Sequence, residues 1–146
     1  EKALPNNSDN ILQAFLHILL AKIQRYINEH QSIPHSKKYL ITFKKFKNLL
    51  EQYFTQGLSV SEYAEKLSIT QHHLNLICNQ ITGKTASQII RNRTILEARR
   101  MLTFSDTTIT EIGYQLGFEE NAYFSRVFKK ETGISPLDFK KAHHKK

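Results

Sequence analysis

Residues 107–139 read TTITEIGYQLGFEENAYFSRVFKKETGISPLDF, and the punctuation of this stretch decides the fold. Thr108 and Glu111 form a Ser/Thr-x-x-Glu capping box. The hydroxyl accepts from the third backbone N–H while the carboxylate reaches back to the cap. A short helix is therefore predicted over residues 110–116, then a turn at Gly117-Phe118, then a longer helix that ends at Gly133. This is the outline of a helix-turn-helix.

A degenerate copy of the same stretch lies upstream over residues 58–90. Ser59-Val60-Ser61-Glu62 matches Thr108-Ile109-Thr110-Glu111, and Leu67-Ser68-Ile69 matches Leu116-Gly117-Phe118. One further residue separates the copies after the turn, where Leu74 falls on Phe124, Ile77 on Val127, Cys78 on Phe128 and Gly83 on Gly133. Both copies also close alike: Gly83-Lys84-Thr85-Ala86 and Gly133-Ile134-Ser135-Pro136 each offer a glycine to end one helix and a hydroxyl to cap the next. Pro136 suits a first helical position, where its missing N–H is no loss.

Outward from the repeat, the chain reads as helix almost throughout. Residues 11–30 carry Leu12, Leu16, Leu19, Ile23 and Tyr26 at alternating spacings of four and three, the pattern of an amphipathic helix or a short coiled-coil seam. Residues 31–38, with Pro34, read as a linker. Residues 39–56 are amphipathic again, with Leu40, Phe43, Phe46, Leu50, Tyr53 and Phe54 inward, Lys44, Lys45 and Lys47 outward, and Gly57 as the stop. Residues 86–104 form a connector with Ile89, Ile90, Leu96, Met101 and Leu102 apolar and Arg91, Arg93, Arg99 and Arg100 on a basic side. At about 1.5 Å per residue the connector spans about 27 Å, which with its end offsets can hold two reading helices near the ~34 Å of one duplex turn. The tail KKAHHKK, residues 140–146, reads as a solvated basic run.

The expected fold is all-α: two helix-turn-helix subdomains joined by a long connector helix and preceded by an amphipathic N-terminal helix. Residues 1–38 form the N-terminal helix and linker, and residues 39–146 the tandem unit. With 146 residues, 40% of them hydrophobic and only 5 Gly and 3 Pro, the chain favours long uninterrupted elements around one or two small cores. A formal charge of +8 makes a polyanion the first partner to consider. The single cysteine, Cys78, excludes an internal disulfide and suits a reducing, cytoplasmic compartment. No apolar run reaches membrane-spanning length, since Gln13, His17 and Lys22 interrupt residues 11–23.

In the first copy, Leu74, Ile77 and Cys78 take the inner face of the reading helix, leaving Gln71, His72, Asn75 and Asn79 outward. Gln and Asn can bond adenine bidentately in the major groove, and His can reach a guanine acceptor or a phosphate. Gln71, His72 and Asn75 are the base-contact candidates there. In the second copy Phe124, Val127 and Phe128 turn inward, and Asn121, Ala122, Tyr123, Ser125, Arg126 and Lys129 are left for the groove and its walls. Phosphate contacts, which set register rather than sequence, are expected from Thr85, Thr108 and Thr110 at helix starts and from Lys84, Arg93, Tyr123 and Lys129.

These residues resemble the DNA-binding domain of the AraC/XylS family of bacterial transcription regulators. The resemblance rests on Gly117-Phe118, Tyr123-Phe124-Ser125-Arg126, Phe128-Lys129-Lys130, Thr132-Gly133 and Ser135-Pro136, with Arg93, Ala98 and Leu102 in the connector, and covers about residues 43–141. It implies a sequence-specific regulator of transcription, an activator that recruits RNA polymerase, with Asn121, Ala122, Ser125 and Arg126 facing bases or groove walls. It also implies that residues 11–30 are the helical end of a sensor and dimerisation domain, and that the chain, which begins at Glu1, is the C-terminal part of a longer regulator. A homodimer through residues 11–30 or through an upstream domain is expected. Two positions depart from the family: Leu76 stands where members often carry Arg or another polar residue, and Cys78 replaces the usual aromatic.

Other functional classes fit less well. His72, His73 and Cys78 are close in sequence, but the inward Cys78 and outward His72 split any zinc set across two faces. No phosphate-binding loop, nucleophile elbow or Ser/His/Asp order is visible, so neither enzyme chemistry nor a cofactor is expected. The remaining alternative is an architectural module that binds nucleic acid or protein with little sequence preference, through phosphate contacts alone.

Overall fold

The computed structural model describes residues 7–30 and 37–143, and the chain falls into two units, residues 1–35 and 36–146. The first contains α1 (Asn7–His30). Its large apolar side chains from Ile11 to Ile23 are exposed. The linker expected around Pro34 lies outside the described residues.

The second unit is α2 (Lys37–Tyr53), a 3-10 turn (Phe54–Gln56), α3 (Val60–Lys66), α4 (Gln71–Thr82), α5 (Ala86–Phe104), α6 (Ile109–Gln115), α7 (Asn121–Thr132) and α8 (Pro136–His143). The all-α architecture is the one expected, with two helix-turn-helix pairs, α3–α4 and α6–α7, on either side of α5. Both capping boxes form: Ser59 accepts from the Glu62 N–H and Thr108 from the Glu111 N–H, while each carboxylate accepts from its cap's N–H at 2.7 and 2.8 Å. These bonds hold the Glu62 and Glu111 carboxyls below the usual range. A third box, Thr85 with Gln88, starts α5. Gly57, Gly83 and Gly133 end their elements in the left-handed region, and α8 begins at Pro136.

Two apolar clusters hold the unit together. The first joins Phe46 and Leu50 of α2, Tyr63 and Ala64 of α3, Leu74 and Cys78 of α4, and Ala86 and Ile89 at the start of α5. The second joins Ile95, Ala98 and Leu102 farther along α5 to Ile112, Leu116, Phe124, Phe128 and Phe139. Phe118, Phe124, Phe128 and Phe139 form a ladder of rings with centroids 5.1, 5.9 and 5.5 Å apart. The first cluster has the ring pairs Phe46–Tyr63 at 5.7 Å and Phe43–Phe46 at 6.3 Å, and the small thiol of Cys78 where the second has Phe128. Burial pushes that thiol up to about 11, so it stays protonated and unreactive at neutral pH. Phe54 packs against both clusters.

Several expectations need correction. Leu40 and Leu96 are exposed at 50% and 60%, and α5 buries Thr94, Ile95 and Ala98 instead. Neither leucine's stripe position says whether a neighbouring helix arrives opposite it. The tail is not a solvated run up to His143: α8 carries Lys140 to within 2.6 Å of the Thr107 carbonyl, to which its ammonium donates. His143 stacks on Phe139 at 4.3 Å.

Candidate nucleic-acid interface

Each pair presents its second helix with the inner face buried. In α4, Leu74, Ile77 and Cys78 are fully buried, and Gln71, His72, Leu76, Asn79 and Gln80 are exposed. In α7, Phe124 and Phe128 are fully buried and Ala122, Tyr123, Arg126, Lys129 and Lys130 are exposed. Ser125 is half-buried. Thr70 caps α4, accepting from the His73 N–H at 3.1 Å, whereas no side chain caps α7 at Glu120. The first-turn amides of α7 are therefore open to an acceptor, the arrangement in which helix starts hold phosphate oxygens.

Not every predicted contact residue is open. Asn75 turns its amide oxygen to the Ala86 N–H at 3.0 Å, joining the reading helix to the start of α5. Asn121 donates from Nδ2 to Thr110 Oγ1 at 3.2 Å, and its Oδ1 is buried with no partner among the described residues. Both amides tie elements together in the free chain rather than standing open to a base edge. The helical wheel placed them outward, but each lies at the border of its face, where a short side chain can bend to a neighbour.

Arg93 is likewise committed. Its guanidinium sits 3.8 Å from the centroid of the Phe54 ring, pairs with Glu51 at 2.8 Å and with Glu97 at 3.3 Å, and the side chain is only 19% exposed. A phosphate-binding role does not fit this geometry. Glu97 also bonds Arg100 at 2.6 Å, and these guanidiniums hold its carboxyl below the usual range. The hydroxyls of Thr85 and Thr108 donate to Gln88 and Glu111 within their capping boxes, and the Thr110 hydroxyl accepts from Asn121. Among the remaining phosphate candidates, Lys84, Tyr123 and Lys129 are exposed.

The structure gathers residues the sequence reading had named separately, and adds Lys130 to them. Arg91, Tyr123, Arg126, Val127 and Lys130 line one groove between α5 and α7, with Arg91 bonded to Glu131 at 3.2 Å and Arg126 5.9 Å from the Tyr123 ring. The spacing of Tyr123, Arg126 and Lys130, three and four residues apart, was the available signal.

A basic chain with two capped helix pairs, each presenting a polar second helix over a buried face, has the build of a tandem helix-turn-helix DNA-binding domain. Comparison with known proteins agrees. A family of helix-turn-helix domains matches residues 63–142. The transcriptional activator RhaS of Salmonella schwarzengrund is 32% identical over 91 residues, 62% of this chain and 33% of RhaS. Among solved structures, the C-terminal domain of AraT, a response regulator from Geobacillus stearothermophilus, superposes with a TM-score of 0.69 at 23% identity, covering 72% of this chain and 88% of that one. The DNA-binding domain of AdpA, a global transcriptional factor solved with a target DNA, gives 0.64 at 19%, covering 68% and 89%. The chain belongs to the AraC/XylS family of DNA-binding transcription regulators. It spans about a third of the length of the curated relatives it matches.

Proposed function

We propose that this chain reads a specific duplex sequence by inserting α4 and α7 into successive major grooves, that it activates transcription, the role that the name of its relative RhaS gives to that protein, and that it does so through RNA polymerase. The observation that carries the reading is the paired display of open polar side chains, Gln71 and His72 on α4 and Arg126 on α7, over fully buried inner faces. Lys84, Tyr123, Lys129 and the uncapped start of α7 supply phosphate contacts that fix register. Selection from a random duplex library is expected to return a two-part site. Gln71→Ala or Arg126→Ala should then relax preference at single base positions, by about 1–3 kcal/mol. Lys129→Ala should instead weaken all sequences alike and lower the salt slope by about 1. A selection with no motif would favour the architectural alternative and sink this reading.

The exposed stripe of α1, with Leu12, Leu16, Leu19 and Ile23 at four-three-four spacing, supports pairing with a second copy of the chain. Sedimentation should find a dimer that the Leu12→Glu, Leu19→Glu double variant converts to monomer with unchanged helix content. A monomeric parent chain at tens of micromolar would rule this out.

A further inference from the structure

The turn that closes α2 and the turn between α6 and α7 touch through their backbones. Gly57 lies at φ 67 and Gly117 at φ 80. A Cβ on Gly57 would fall 2.5 Å from the Gly117 carbonyl oxygen. One on Gly117 would fall 2.4 Å from the Gly57 nitrogen and 2.8 Å from the Thr55 carbonyl oxygen. No side chain fits at either place without moving a backbone. Gly83 and Gly133, at φ 68 and 85, have nothing within 4 Å of such a Cβ. Their conformation is the same, but nothing crowds them.

The duplication supplies an internal control. Ser68 fills the first copy's position equivalent to Gly117 and takes the left-handed conformation at φ 55. The turn itself therefore accepts a side chain. What requires glycine at position 117 is the first subdomain lying against it.

Both subdomains grip α5, and a second point of contact away from that helix stiffens the angle between them. The Gly57–Gly117 contact is such a point. Phe54, three residues before Gly57, packs on both clusters and is covered by Arg93. The Arg91–Glu131 pair adds a third point, but its side chains are 34% and 26% exposed, and pairs in water contribute little.

We propose that the Gly57–Gly117 contact, with Phe54 and Arg93 beside it, sets the angle between α4 and α7 and so selects the spacing of the two half-sites this chain accepts on DNA. The spacing claim rests on the proposed reading of duplex DNA; the angle claim does not. Gly57 and Gly117 are positioning residues, since neither is offered as a DNA contact.

The test has two arms. In the first, spin labels at Gln80→Cys and Lys129→Cys, with the buried Cys78 out of reach of the reagent, report the distance distribution between α4 and α7 in the full chain without DNA. The parent should give one narrow distribution. Gly57→Ala and Gly117→Ala should broaden or shift it, while Gly83→Ala, which carries the same backbone strain without the contact, should leave it unchanged. If Gly117→Ala fails to fold, Gly57→Ala at its exposed turn carries the test. A Gly57→Ala distribution matching that of Gly83→Ala would overturn the proposal.

In the second arm, one base pair is inserted between the halves of the selected site, which moves the second groove by about 3.4 Å. The parent and Gly83→Ala should lose about tenfold or more in affinity, and Gly57→Ala threefold or less. A Gly57→Ala variant that binds more weakly everywhere but keeps the parent's full penalty would overturn the spacing claim. Should no two-part site be selected, the DNA reading fails with the spacing claim, and the label distances still decide the angle.

Discussion

Phe128→Ala is expected to lower the unfolding free energy by about 3–5 kcal/mol, the range for emptying a buried aromatic site. Phe128 is fully buried, with the rings of Phe124 and Phe139 at 5.9 and 5.5 Å, and α5, α6 and α8 supply the rest of its surroundings. A cavity there opens the centre of the second cluster. The matching change in the first copy, Cys78→Ala, removes one sulfur from an equally buried position and should cost about 1 kcal/mol. Urea unfolding of the two variants measures the difference. Amide exchange should show α6 to α8 losing protection in Phe128→Ala before α2 to α4 do. A cost below about 1.5 kcal/mol for Phe128→Ala would mean that the second cluster collapses around the gap and that the ring ladder is not its main support.

Arg93→Ala should cost about 2 kcal/mol of stability without DNA present. The guanidinium carbon lies 3.8 Å from the Phe54 ring centroid and the side chain is 19% exposed, close and shielded enough for a partly desolvated cation–π contact, for which about 1–2 kcal/mol is typical. Its bonds to Glu51 and Glu97 add less, because Glu51 is half exposed and Glu97 keeps Arg100. Arg93→Lys should recover under half of the loss, since an ammonium cannot stack and bond both carboxylates in one plane. The same variants separate the two roles considered for this residue. A phosphate ligand would leave stability unchanged and lower the salt slope of DNA binding by about 1. The clamp predicts the reverse, and thermal melts beside a salt titration of binding would tell them apart.

The features legible in the sequence were those whose partners are near in the chain. Ser59 with Glu62, and Thr108 with Glu111, complete their bonds within one turn, so the pattern alone located both helix starts. Gly57, Gly83 and Gly133 were readable as stops because the left-handed conformation is a property of the single residue. The connector's bounds followed from the same punctuation. What the pattern left unseen involves distant partners. Asn75 and Asn121 each bond a group eleven residues away, and Arg93 reaches Glu51 forty-two residues back. Periodicity gives the angle at which a side chain leaves its helix and is silent on what else arrives there. Leu96 and Lys140 failed for the same reason, one by lacking a neighbour and the other by having one.

The outer faces of α4 and α7 were legible where the side chain is long and central on its stripe, as with Gln71, His72 and Arg126, and obscure at the borders. The contact between Gly57 and Gly117 left no local trace beyond the glycines themselves. Only the comparison of Ser68 with Gly117 hints that one of two equivalent turns answers to something outside itself.

Because α5 lends Ala86 and Ile89 to one core and Ile95, Ala98 and Leu102 to the other, the doubled unit cannot be cut into two self-sufficient miniatures. Either half, severed from this common spine, would bare an oily flank and forfeit a wall of its interior. The repeated unit thus has two grips with a single backbone of support, and a lesion in the spine should cripple both grips together.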